Sequence, residues 1–160
     1  MIPVRLSPED DPAPVLALIR AEFAFMDGRI DPPSSMHRLT AADVSRQAAA
    51  GEVWVLGPAG APLACVFFTT KPETLYIGKL AVAAAARGQG HARRLIDLAA
   101  ARAGALGLAV LELQTRIELT ENHATFARLG FTCVGETAHP GYDRTTSLTF
   151  RKPLSPPGRG

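Results

Sequence analysis

Leu80-Ala81-Val82-Ala83-Ala84-Ala85-Ala86-Arg87-Gly88-Gln89-Gly90-His91-Ala92-Arg93-Arg94-Leu95-Ile96, running on to Leu106, is the stretch that decides the fold. It reads as the end of a strand, a tight turn over Arg87 to Ala92, and a long helix. Past the turn, Ala92, Leu95, Ile96, Ala99 and Ala103 recur at helical spacing, while Arg93, Arg94, Asp97 and Arg102 fall on the opposite face. Gly88 and Gly90 let the backbone turn with no side chain between its N–H groups and a ligand. Together with the positive end of the helix dipole, those donors make a pocket for an anion, most naturally a pyrophosphate.

Working outward, the N-terminal half predicts a short strand at Pro3 to Leu6. Ser7-Pro8-Glu9-Asp10 then supplies cap and first-turn residues for a helix through Val15, Leu16, Leu18, Ile19 and Phe23. Asp-Gly and Pro-Pro break the pattern from Met26 to Met36, which reads as a loop. Thr40-Ala41-Ala42-Asp43 fits a capping box and opens a second helix that stops at Gly51. Strands follow at Val53–Leu56, Leu63–Thr70 and Thr74–Val82, with turns at Gly57–Ala61 and Lys71–Glu73. After the long helix come a strand at Ala109–Thr115, a helix at Leu119–Leu129 stopped by Gly130, and strands at Phe131–Glu136 and Thr145–Arg151. The order βααβββαβαββ predicts an α/β domain: a mixed, mostly antiparallel central sheet with helices on both faces. One domain is expected over residues 1–152, and the Pro/Gly-rich residues 153–160 read as a frayed tail. No internal repeat stands out.

Bulk properties exclude several functions. The 160 residues carry a formal charge of +2, and the basic residues are dispersed, with no basic run beside an aromatic platform, so no nucleic-acid partner is expected. No segment approaches membrane-spanning length, and the acidic N-terminus MIPVRLSPEDDP does not read as a signal peptide. A cytoplasmic protein is expected. Cys65 and Cys133 lie in apolar strand-like runs and read as buried hydrophobes, not as a disulfide or metal ligands.

Two motifs together resemble a known family. Leu80-Ala81-Val82 followed by Arg87-Gly88-Gln89-Gly90-His91-Ala92 resembles the acetyl-CoA loop of the GNAT N-acetyltransferases, whose pattern is Arg/Gln-x-x-Gly-x-Gly/Ala. Asn122-His123-Ala124-Thr125-Phe126-Ala127-Arg128-Leu129-Gly130-Phe131 resembles their Asn-x-x-Phe-Tyr-x-x-x-Gly-Phe element. With the strand order, the resemblance spans about Val4 to Leu154. It implies that the strand before the loop and the strand after the helix splay apart, so that the pantetheine arm adds to the gap like a short extra strand. By carry-over, the backbones of Leu80, Ala81 and Val82 bond the pantetheine, and Arg87, Gly88, Gln89, Gly90, His91 and Ala92 hold the pyrophosphate. Asn122 and Phe126 lie on the far side of the arm. The Leu80 N–H is the natural donor to the thioester carbonyl as an amine attacks.

The resemblance implies acetyl transfer from acetyl-CoA to a primary amine by direct attack in a ternary complex. The acceptor is a small molecule or a peptide, and a homodimer is a family expectation. Phe126 stands where many members place a tyrosine that protonates the departing sulfur, a donor worth about 10²–10⁴ in rate. Here it reads as an apolar wall, since a thiol of pKa roughly 8.5 leaves tolerably as thiolate. Tyr76 aligns with a glutamate that serves some members as base, and Glu112, on the next strand, is a weaker candidate facing either acceptor or solvent. Arg87 is read as a phosphate partner. His91 is either a phosphate donor or a surface residue at the helix start. His123, Arg128 and Arg116 are candidates for the adenosine phosphates but read as solvated, and Trp54, Phe67 and Phe68 as core. Glu22, Asp27, Asp31, Met36 and His37 in or beside the first long loop, and His139, Tyr142, Asp143 and Arg144 in the last, are expected to wall the acceptor pocket. Acidic members there would suit a cationic amine. The other readings are a non-catalytic acyl-CoA-binding sensor or scaffold, motivated by Phe126 and the missing base, and a dinucleotide fold. The strand meander before the turn and the second motif argue against the latter.

Overall fold

In the computed structural model, residues 1–24, 26–34 and 38–154 are described; Met36, His37 and residues 155–160 lie outside them. The chain forms β1 (Val4–Arg5), α1 (Ala13–Ala24), α2 (Ala41–Ala50), β2 (Glu52–Leu56), β3 (Ala64–Thr70), β4 (Thr74–Val82), α3 (His91–Ala105), β5 (Val110–Arg116), α4 (Thr120–Arg128), β6 (Thr132–Thr137) and β7 (Ser147–Pro153). A short 3-10 turn at Ala84–Ala86 joins β4 to the glycine turn. The seven strands lie in the order β1-β2-β3-β4-β5-β7-β6. Every neighbouring pair is antiparallel except β4 and β5.

Alternation along the strands feeds two cores. Val53, Val55, Cys65 and Phe67 point to one face, where Val15, Ile19 and Val44 of α1 and α2 cover them. Leu56, Val66, Phe68 and Ile77 point to the other, under Leu95, Ile96 and Ala99 of α3. At about 25 cal/mol per Å² of apolar surface buried, this two-sided covering is the main stabilising contribution. Trp54 is only partly buried and packs at the margin of the second core.

Local chemistry explains most boundaries. Thr40 caps α2, its hydroxyl accepting from the Asp43 N–H at 3.2 Å while the Asp43 carboxylate accepts from the Thr40 N–H at 2.9 Å. The start of α1 differs from expectation. Ser7 to Asp10 close a turn on themselves, the Asp10 carboxylate accepting the Ser7 N–H at 2.8 Å, and it is Asp11 that accepts the Ala13 N–H at 3.0 Å.

Three further expectations are corrected. On α3 the buried stripe is His91, Leu95, Ile96, Ala99 and Ala103, with His91 in the place expected of Ala92. Arg102 bends off the solvent face to grip buried Glu52 with both ends of its guanidinium, at 2.8 Å each. Cys65 is buried, and burial pushes its thiol pKa up to about 12, but Cys133 is exposed on edge strand β6.

The feature that positions the site is a bulge in β4. Cys65 of β3 stands opposite Ala81 and Phe67 opposite Gly78, so β4 carries one extra residue between them. Lys79 takes up the irregularity with a left-handed backbone at φ 50°. The extra residue shifts the alternation: Leu75 and Ile77 face α3, and after the bulge Leu80 and Val82 face it too.

Candidate active site

β4 and β5 are paired over only three residues, Thr74 with Val110, Leu75 with Leu111 and Tyr76 with Glu112. Beyond these, Ile77–Val82 and Leu113–Arg116 have no partner in each other, and the strands diverge around a cleft of about 290 Å³. Tyr76, Gly78, Lys79 and Leu80 line it from β4, and Gln114 to Arg116 from β5. Asn122 and Phe126 of α4 line it, as do Phe23 of α1 and Met26, Ile30 and Ser34 beyond it. Backbone groups on one inner edge of β4 therefore face an open cleft, a ready template for an extended ligand. Phe126 is held edge-on to Phe131 with ring centroids 5.8 Å apart, so the apolar wall is firmly packed.

The glycine turn lies where β4 hands the chain to α3. Gly88 and Gly90 have φ of 78° and 81°, and a Cβ added to either would meet nothing within 4 Å. The cradle is open where a ligand's oxygens would sit. No side chain caps α3, and its first turn contains no acid. The first intrahelical donor is the Arg94 N–H, to Gly90 O at 3.1 Å, which leaves the N–H groups before it without helical acceptors. Arg93 and Arg94 place two cations at the positive end of the helix dipole, each unfavourable by about 0.3–1 kcal/mol, an arrangement suited to a bound anion.

His91 is not a surface residue. It is buried, its Nε2 lies 3.3 Å from Gln89 Oε1, and its Nδ1 has no partner among the described residues. Only its N–H belongs to the turn. Arg87 pairs with Glu22 of α1 at 2.7 Å, which fastens the turn to that helix. That contact also withdraws Glu22 from the acceptor role expected of it.

The candidate bases separate. Glu112 is buried and does not line the cleft; Lys71 holds one oxygen at 3.1 Å and Arg151 the other at 2.8 Å. Burial pushes its carboxyl up, but those two hydrogen-bonded cations outweigh burial and hold it below the usual range. A carboxylate so neutralised is a poor proton acceptor, and the geometry argues against Glu112 as base. Tyr76 does line the cleft, where burial and the nearby Glu112 charge push its phenol up, so it stays protonated near neutral pH.

The two loops meet as expected, but their charges are spent on each other. Asp31 accepts from the Tyr142 hydroxyl at 2.5 Å and pairs with Arg144 at 3.1 Å. Arg116 lines the cleft yet donates to Pro32 O at 2.7 Å, and His123 bonds the Arg116 carbonyl at 2.9 Å. Arg128 and Asp143 are exposed. Of the last loop only His139 lines the cleft, where burial and the Arg116 charge lower its pKa. Lys79 is the charged lining residue that the sequence left unremarked. Nothing in the identity of a lysine announces a left-handed bulge, and only the strand register reveals it.

Among the described residues no cluster of His, Cys, Asp and Glu suits a metal, and no helix is long and apolar enough to cross a membrane. Comparison with known folds agrees with this geometry. An acetyltransferase of the GNAT family from Streptococcus pneumoniae superposes with a TM-score of 0.71 at 15% identity, over 96% of this chain and 99% of that one. A GNAT family acetyltransferase from Elizabethkingia anophelis with acetyl-CoA bound gives 0.68 at 16% identity, over 96% and 97%. IAA acetyltransferase from Bacillus cereus gives 0.67 at 19%, over 96% and 99%. No curated protein matches the sequence significantly. The sequence model for the acetyltransferase (GNAT) family matches residues 17–131, from α1 through α4 to Phe131. The chain belongs to the GNAT acetyltransferase family, enzymes that take their acetyl group from acetyl-CoA.

Proposed function

We propose that this acetyltransferase moves the acetyl group to a primary amine by direct attack in a ternary complex. The observation that carries the reading is the unpaired inner edge of Ile77–Val82, which runs from the cleft toward the open glycine turn. An acyl-CoA laid along it puts its diphosphate on the N–H groups of the Arg87 to Ala92 turn. Its pantetheine lies beside the backbones of Leu80, Ala81 and Val82, against Asn122 and Phe126. The Leu80 N–H then donates to the thioester oxygen as negative charge develops there, an interaction worth about 3 kcal/mol in comparable sites.

Direct attack is supported because neither cysteine lines the cleft, so no thiol stands where it would form an acetyl-enzyme. The amine nitrogen bonds to the acetyl carbon, the carbon–sulfur bond breaks, and the pair leaves with sulfur as thiolate. The ammonium proton goes to water, directly or by way of the neutral His139 imidazole in the cleft, since Glu112 is held by its cations and Tyr76 keeps its proton.

The test is initial-rate kinetics of thiol release over a panel of amines. Intersecting double-reciprocal lines are expected, with the protein mass unchanged by acetyl-CoA alone. Parallel lines with a mass gain of one acetyl group would overturn direct attack. Saturable coenzyme binding with no turnover on any amine would favour a sensor of the same fold.

A further inference from the structure

We propose that the acceptor is an amine carrying a carboxylate close to the reacting nitrogen, and that Lys79 selects it. This rests on the amine-transfer reading above and names the substrate class of the same cleft.

Charge in the cleft is one-sided. Lys79 and Arg116 line it, and no aspartate or glutamate does among the described residues. Three carboxylates around it are held by cations. Glu22 is held by Arg87 at 2.7 Å, Asp31 by Arg144 at 3.1 Å, and Glu112 by Lys71 and Arg151. Glu118 accepts the Asp31 N–H at 3.0 Å with one carboxylate oxygen, while its other oxygen is buried without a partner among the described residues and its charge acts on Arg116 and His139. The Arg116 guanidinium is tied to the carbonyls of Pro32 and Pro33. Lys79 is different. It is half-buried, its ammonium has no hydrogen-bond or ion-pair partner among the described residues, and it lies near no charge that offsets its burial, so its pKa is lowered. A desolvated ammonium without a counter-charge is costly, and an anionic ligand removes that cost.

Its position fits the task. Ile77 and Leu80 face α3, which leaves Gly78 and Lys79 on the opposite side, toward the part of the cleft walled by Phe23, Met26 and Ile30. Lys79 is the residue immediately before the N–H proposed to polarise the thioester. An amino carboxylate can thus place its anion on the lysine while its nitrogen reaches the acetyl carbon. A polyamine entering the same space meets the like charge of Lys79.

The experiment compares thiol release from acetyl-CoA with each common amino acid, its amide, and putrescine and spermidine, for the wild type and Lys79→Met. The best carboxylate substrate should exceed its own amide in kcat/KM by about tenfold or more. Lys79→Met should erase that preference mainly through KM, leave the amide within about twofold, and leave CoA affinity unchanged; Lys79→Arg should restore part of the preference. A wild type that prefers amides or polyamines, or a variant that lowers both substrates equally, overturns the proposal. If no amine releases thiol, the amine-transfer reading fails on that count. The charge assignment is then decided by calorimetry of the CoA-saturated protein with N-acetyl-leucine against N-acetyl-leucinamide. Selective binding of the acid that Lys79→Met abolishes supports it, and equal or absent binding overturns it.

Discussion

The same two strands, β4 and β5, behave in opposite ways along their length. From Thr74 to Tyr76 they are hydrogen-bonded, and the charge buried there, Glu112, is compensated from both sides by Lys71 and Arg151. From Ile77 onward they part, and the charge there, Lys79, is compensated by nothing among the described residues. A folded domain satisfies the charges that serve its stability and leaves unsatisfied those that await a ligand. The closed half is therefore scaffold and the open half is site, a division that substitutions can break or sharpen.

The largest effect is expected on the open side. Gly90→Val puts a side chain into the empty cradle, so coenzyme affinity should fall by about 100-fold or more, roughly 3 kcal/mol. The left-handed backbone at φ 81° adds strain of about 1–2 kcal/mol, and the melting temperature should drop by only a few degrees. Calorimetry beside a thermal melt separates the two. On the closed side the pattern should invert. Glu112→Ala leaves two partly exposed cations that can turn to water, so the cost is about 2 kcal/mol, a fall of about 4–8 °C. Its kcat should stay within about threefold of wild type, whereas a loss of 10² or more would restore Glu112 as base.

Acid should expose the same closed-half charges. Glu112 and Glu52 both sit below their ordinary values in the fold, Glu52 because bonds from Arg102 and Trp54 outweigh its burial. Their contribution is complete above the unfolded carboxylate pKa of about 4.3 and is lost as pH falls through the lower folded values. The carboxylate-linked part of the urea midpoint, read as the difference between wild type and Glu112→Ala, should therefore be constant above roughly pH 5.5 and shrink below about pH 4.5. The smallest effect belongs to the apolar wall. Phe126→Tyr should change thiol release by less than about twofold, since the departing thiolate needs no donor; a gain of tenfold or more would show that protonation limits the rate.

Much of this division was legible in the sequence, where it depends on neighbours in the chain. The Thr40–Asp43 cap, the glycine turn and the strand order all follow from short-range chemistry, and the structure keeps them. The misses depend on distant partners. Glu112 is expected to face either acceptor or solvent, and nothing near it in the chain announces the Lys71 and Arg151 that cover it. Nor does spacing announce that Arg87 finds Glu22 65 positions away. Asp31, expected to greet a cationic amine, is drawn to Arg144, 113 positions on. His91 shows how one residue matters, since a single position rotates a helix by about 100° and moves it from the rim to the core. The β4 bulge was the least legible, because register belongs to a pair of strands and not to either one.

The central claim is that main-chain donors of the open half grip the diphosphate end of coenzyme A, and titration calorimetry with CoA on the folded protein tests it most directly. One saturable site with a dissociation constant of about 1–100 μM, or −8 to −5 kcal/mol, is predicted, and it should vanish in Gly90→Val. A flat thermogram at millimolar CoA, on protein that still melts cooperatively, would contradict it.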